Sequence, residues 1–127
     1  MTSEGRADER PAIIASYWYA FDWDVEAIWK LDLPVRTMAV ADLLWYLDVP
    51  VWEDYRLTPR QVLDDPVRHA GEHARMLAAD LAYPIDIFRF RSRWMILDGI
   101  HRLLKAHMRG HKQIAVREVP ITAIQYR

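Results

Sequence analysis

The sequence predicts an α/β domain of the α+β kind, on three observations. Short apolar runs of strand character recur at 35–40, 84–90, 94–97 and 113–119. Between them lie segments of helical spacing opened by Thr58-Pro59 and Asp65-Pro66. At 93–118 the two patterns join: an apolar strand delivers Asp98-Gly99-Ile100-His101-Arg102 to a helix start, and a second strand follows.

The composition narrows the chemistry. At 127 residues and 52% hydrophobic content the chain has material for one domain with a real core. There is no cysteine, which excludes disulfides, thiolate metal sites and cysteine nucleophiles together. No apolar run reaches the length of a membrane span and the N-terminus is charged, so a cytoplasmic protein without a membrane partner is expected. The formal charge of −1 divides unevenly. Residues 1–83 carry 8 Lys/Arg against 15 Asp/Glu, and residues 84–127 carry 9 against 3. A basic C-terminal part of that kind attracts polyanions or a nucleotide, or faces the acidic part of its own fold.

Taken in order, 1–12 reads as a disordered leader and 13–34 as an aromatic N-terminal wrap, leaving 35–127 as the domain proper. Asp24 is placed to cap a short helix whose Val25, Ile28 and Trp29 share a face. A strand at 35–40 leads to a short helix at 41–47, with Leu43, Leu44 and Leu47 inward. Pro50 keeps 48–54 extended or turning. Thr58-Pro59 starts a short helix to Leu63, and Asp65-Pro66 starts a longer one to about Asp80. Strands at 84–90 and 94–97 form a hairpin around Arg91-Ser92-Arg93. From Ile100 the inward positions are Ile100, Leu103, Leu104, His107 and Met108, with Gly110 as the helix stop. A strand at 113–119 closes at Pro120, and the last residues pair or trail.

The junction at 98–102 has chemistry suited to an anion. A helix N-terminus offers free N–H groups and the positive end of its dipole. Gly99 lets backbone approach a ligand closely. Arg102 can complete a charge-assisted clamp on phosphate oxygens, and His101 adds a donor that titrates near neutral pH. Asp98 then stands where it can hold Mg²⁺ or take a proton from a hydroxyl. An ordinary structural role is the alternative, with Asp98 an N-cap, Gly99 a turn residue and Arg102 a solvated charge.

Asp98-Gly-Ile-His-Arg-Leu-Leu-Lys-Ala106, downstream of a strand opening at Pro84-Ile85 and followed by Gly110 and an Ile-Ala-Val-Arg strand, resembles the ParB/sulfiredoxin superfamily. The resemblance spans about 35–119 and is specific over 84–119. It implies a compact ParB/sulfiredoxin-like domain, a small mixed sheet with helices around it, with the nucleotide phosphates on the turn of Gly99 and Arg102. Partition-type members bind CTP and carry a helix-turn-helix beyond this domain, which is not expected in this chain. Sulfiredoxins place a cysteine where this sequence has Ile100, so sulfinic acid reduction by that route is excluded. The free-serine kinases of the superfamily carry Asp-Gly-x-His-Arg, matched here at every fixed position. In them the Asp assists phosphoryl transfer and a Glu after the first strand contributes. Glu53 is the candidate for that Glu, with Asp54 and Asp48 as alternatives.

The resulting expectation is an ATP-dependent phosphotransferase, a kinase acting on a small hydroxylated metabolite with Mg²⁺. Asp98, Glu53 and His101 are the catalytic candidates, and Gly99, Ile100, His101, Arg102 and Lys105 the nucleotide-binding ones, with Asp98 the Mg²⁺ ligand. Arg36, Lys105 and the aromatic leader are expected to shape the acceptor pocket. The alternative is a non-catalytic CTP- or ATP-binding switch, or a DNA-associated partition-type module, and homodimerisation stays open. Two histidine pairs at helical spacing, His69/His73 and His107/His111, lack a third ligand at telling spacing. Arg89, Arg91, Arg93, Lys105, Arg109 and Lys112 are read as a solvated basic face before a DNA contact.

Overall fold

The computed structural model describes residues 21–126. The leader and residues 13–20 of the aromatic wrap, Tyr17, Trp18 and Tyr19 included, lie outside the described residues. In chain order the elements are β1 (Phe21–Asp22), α1 (Val25–Trp29), β2 (Val35–Ala39), a 3-10 helix (Val40–Asp48), α2 (Pro59–Asp64) and α3 (Ala70–Ala78). Then come β3 (Ile85–Phe90), β4 (Arg93–Asp98), α4 (Ile100–Met108), β5 (Gln113–Glu118), a 3-10 turn (Ile121–Ala123) and β6 (Gln125–Tyr126).

Four strands make a mixed sheet in the order β2-β5-β3-β4. β2 and β5 run antiparallel, β5 and β3 parallel, and β3 and β4 form an antiparallel hairpin. A separate two-stranded ladder joins β1 to β6, so the last residues pair rather than trail. The domain is α+β. Its core gathers Ile85, Ile87 and Phe88 of β3, Met95 and Ile96 of β4, Leu103 and Leu104 of α4, and Leu43, Tyr46 and Leu47 of the 3-10 helix. Four consecutive residues of β3, Ile85 to Phe88, are buried, so both faces of this strand are covered.

Local signals account for most element boundaries. Asp24 accepts from Glu26 N at 3.0 Å and Ala27 N at 3.4 Å and so caps α1. Thr58 and Gln61 form a reciprocal capping box with Pro59 opening α2. The β3–β4 turn is the pair Arg91-Ser92, at φ 51° and 65°, the double left-handed geometry of a type I′ hairpin. Gly110, at φ 74°, ends α4: its N–H reaches His107 O at 3.0 Å and His111 N–H reaches Ala106 O at 2.9 Å. Those two bonds make a Schellman stop. Between Val40 and Asp48 the chain winds at three residues per turn, and Val40, Leu43 and Tyr46, three apart, are buried on one side.

Two local expectations are corrected. Asp65-Pro66 opens a single turn and not a long helix. The Asp65 carboxylate accepts from Arg68 N at 3.1 Å, and Asp65 O accepts from His69 N at 3.1 Å. His69 then leaves helical geometry at φ −110°, ψ 43°, and α3 begins at Ala70. On α4, Met108 faces solvent, while Lys105 and Ala106 are buried. Among the described residues, no helix is long and apolar enough to cross a membrane.

Candidate functional site

Asp98 reaches its position through an irregularity in the hairpin. Ile87 pairs with Ile96, yet Asp86 pairs with Asp98, so Leu97 is an extra residue on β4. An unbroken register would set Asp98 opposite Ile85. The bulge sets it opposite Asp86 instead, and residues paired across strands share a face. Asp86 is also the partner of Arg117 on β5. One face of three adjacent strands therefore presents Asp98, Asp86 and Arg117 in a row.

These side chains floor a cleft of about 460 Å³ that is also lined by Arg102, Pro84, Trp29 and Tyr83, within the size range of small-ligand sites. Each acid has its own guanidinium. Arg117 Nε donates to Asp86 Oδ1 at 2.7 Å, and Arg102 Nη2 donates to Asp98 Oδ2 at 3.1 Å. Arg102 Nη1 also donates to the Pro84 carbonyl. Trp29 Nε1 donates to Asp98 Oδ2 at 2.8 Å. Both donors to Asp98 thus converge on Oδ2, and Oδ1 takes neither.

Gly99 is the N-cap of α4, at φ 115°, with no side-chain cap bond. Asp98 is therefore not the cap of that helix. A Cβ at Gly99 would stand 3.0 Å from Ile85 Cγ1 and 3.3 Å from Ile85 Cα. The glycine is needed for the turn and for the close approach of β4 to β3. The first turn of α4, Ile100 to Arg102, begins beside the Asp98 carboxylate, and N–H groups of a first turn have no partner inside the helix.

The other expected site residues go elsewhere. His101 turns away from the cleft: its Nε2 is 3.2 Å from Glu72 Oε1, and its ring stacks on Trp52 at 4.5 Å and 20°. Ile100 packs against the core with its side chain. Lys105 is buried, and its Nζ donates to Leu77 O at 2.8 Å and Ala79 O at 2.6 Å. It satisfies the last carbonyls of α3 and does not reach the cleft. Glu53, at φ 52°, begins a run of three left-handed residues with Asp54 and Tyr55 and lines a separate groove with Arg56, Gln61, Arg68 and His69. Asp48 pairs with Arg60. Arg36 pairs with Glu118 at 3.3 Å and lies over Trp94. Of the basic residues on the hairpin, Arg89 lies over Trp94, Arg91 over Phe90 and Arg93 over Trp45. Among the described residues, no group of three or more His, Asp or Glu side chains is placed to hold a metal ion.

Sequence reasoning brings Asp98 and Arg102 to the cleft, with Gly99 as the turn between β4 and α4, and misses Asp86, Arg117, Trp29 and Tyr83. One signal pointed to the first: Asp86 interrupts the apolar run Ile85-Asp86-Ile87-Phe88, and a charge in a buried strand demands a partner. Nothing local marks Trp29 or Tyr83. No protein-family model, curated protein or solved structure matches the chain.

Proposed function

We propose that the cleft binds a nucleoside triphosphate and that the protein transfers its terminal phosphoryl group to a small hydroxylated acceptor. The observation that carries this reading is that Gly99 turns β4 into α4 beside a carboxylate whose Oδ1 takes neither of the two donors bonded to Oδ2. The likeness of Asp98-Gly-Ile-His-Arg to the free-serine kinases of the ParB/sulfiredoxin superfamily supports it.

The phosphates lie against the first turn of α4, where backbone N–H groups and the helix dipole favour negative charge. Arg102 has five N–H donors, and its bonds to Asp98 and Pro84 leave others for phosphate oxygens. Asp98 Oδ1 positions the acceptor hydroxyl and takes its proton. The acceptor oxygen attacks the γ-phosphorus, the bond from that phosphorus to the β,γ-bridging oxygen breaks, and the nucleoside diphosphate leaves with the electron pair. Mg²⁺ that accompanies the nucleotide would be held by the phosphates and the Asp98 carboxylate, a ligand set such an ion commonly uses. His101 and Lys105, committed to Glu72 and to the α3 carbonyls, act on the shape of α4.

The test is turnover of ATP by Asp98→Asn in the presence of candidate hydroxyl acceptors. A fall of about a hundredfold or more is expected for loss of the proton acceptor, with the melting midpoint kept. An unchanged rate removes Asp98 from the reaction. A thermal-shift comparison of ATP, CTP and GTP with Mg²⁺ precedes it, since ligand at about 100 times its Kd adds about 2.7 kcal/mol of stability. A shift confined to CTP, without turnover, would mark a partition-type switch instead.

A further inference from the structure

Trp29 and Tyr83 are exposed at 58% and 65%, although both line the cleft. Rings of that size generally bury most of their surface. They come from different elements, α1 and the turn before β3, and each is anchored through an arginine of the cleft floor. Arg117 donates to the carbonyls of Ile28 and Leu31 and so holds the backbone on both sides of Trp29. Arg102 donates to the Pro84 carbonyl, next to Tyr83. The floor between them carries two acids and two guanidiniums, groups that hydrogen-bond to phosphate and hydroxyl oxygens. Flat rings beside such a floor suit a planar heteroaromatic group, because stacking on an aromatic side chain needs only a π-face.

We infer that Trp29 and Tyr83 hold the base of the nucleotide by stacking, while its phosphates lie against the first turn of α4. This rests on the nucleotide reading of the cleft. The indole N–H of Trp29 meanwhile keeps its bond to Asp98, so base binding and the orientation of the carboxylate share one side chain.

The test uses the full chain and two probes, MgATP and inorganic tripolyphosphate, with Kd measured by calorimetry for wild type, Trp29→Phe, Trp29→Ala and Tyr83→Ala. Both rings are exposed, so the variants should keep the wild-type melting midpoint. The alanine variants should bind ATP about tenfold or more weakly, the range set by one lost base–aromatic stack, and tripolyphosphate as wild type does. Trp29→Phe, which keeps a stacking face and loses the bond to Asp98, should bind ATP within about threefold of wild type on the same reasoning. Should Tyr83→Ala leave ATP affinity unchanged, or should an alanine variant weaken both probes equally, the stacking assignment fails while the phosphate site stands. A Trp29→Phe loss as large as that of Trp29→Ala would overturn it too, by tracing the effect to Asp98. If wild type binds neither probe, the nucleotide reading itself fails.

Discussion

Arg117 Nε donates to Asp86 Oδ1 at 2.7 Å, while its two terminal nitrogens donate to the carbonyls of Leu31 and Ile28. One guanidinium thus joins β5, the buried acid of β3 and the C-terminal end of α1. The side chains are 12% and 3% exposed, so the pair is desolvated and depends on this full set of bonds. Arg117→Met should cost about 3–5 kcal/mol, because it strands a buried carboxylate. Adding Asp86→Leu should recover much of that loss. Urea unfolding of both variants measures it, and a loss below about 1 kcal/mol, typical of a surface pair, would show that the bridge contributes little.

The glycines should rank in a definite order when changed to alanine. Gly99 combines φ 115° with a Cβ contact of 3.0 Å to Ile85, so Gly99→Ala should cost about 2–4 kcal/mol. Gly110 has φ 74° and open space around it, and Gly110→Ala should cost about 1–2 kcal/mol from backbone strain alone. Gly71 lies within α3 with nothing nearby, and Gly71→Ala should stabilise by about 0.5–1 kcal/mol. Thermal and urea midpoints of the three proteins check the ranking, and Gly99→Ala being the mildest would contradict it.

Lys105 separates a structural role from a ligand role. Lys105→Met keeps the apolar stem and removes the donor to Leu77 O and Ala79 O. Losing two hydrogen bonds from a charged donor should cost about 1.5–3 kcal/mol, with ATP affinity unchanged. A selective loss of ATP binding at unchanged stability would return Lys105 to the nucleotide site.

Burial holds the Tyr46 phenol far above its ordinary pKa, because the phenolate would lose its hydration there. The folded state therefore keeps a proton that the unfolded chain releases near pH 10. Stability from this group is complete below that pH and falls as pH rises above it. Wild type should lose stability steadily from about pH 10 upward, and Tyr46→Phe should show a shallower decline. The phenol's own bonds, 3.5 Å to Ile96 O and 4.0 Å to Met95 Sδ, are long, so the variant should lose little at pH 7. Urea unfolding at pH 7, 10 and 11 tests both, and identical slopes for the two proteins would refute the assignment.

Much of the fold was legible because its signals are local. Asp24, Thr58-Pro59 and Gly110 each act within a few residues, and each stands where the pattern put it. The strands of the hairpin and β5 were equally plain. The failures have a different origin. Asp65-Pro66 carried a valid start signal, but one carboxylate closed the turn on itself before a helix could propagate. Met108 kept helical spacing, yet the inward position went to Lys105, whose ammonium found carbonyls on a separate helix. The candidate site divided along the same line, with Asp98, Gly99 and Arg102 within five residues of one another and Glu53 carried to another groove.

By itself the sequence determined where most strands and helices begin and end, and that an acid, a glycine and an arginine meet at the start of α4. Capping, φ preference and apolar period are properties of neighbours in the chain. Only the tertiary structure decided what Asp98 faces. The extra residue at Leu97 moves it from opposite Ile85 to opposite Asp86, and the packing of α1 brings Trp29 to its Oδ2. Register and packing are settled by the whole sheet at once, because a shift of one residue sends a strand's side chains to the other face.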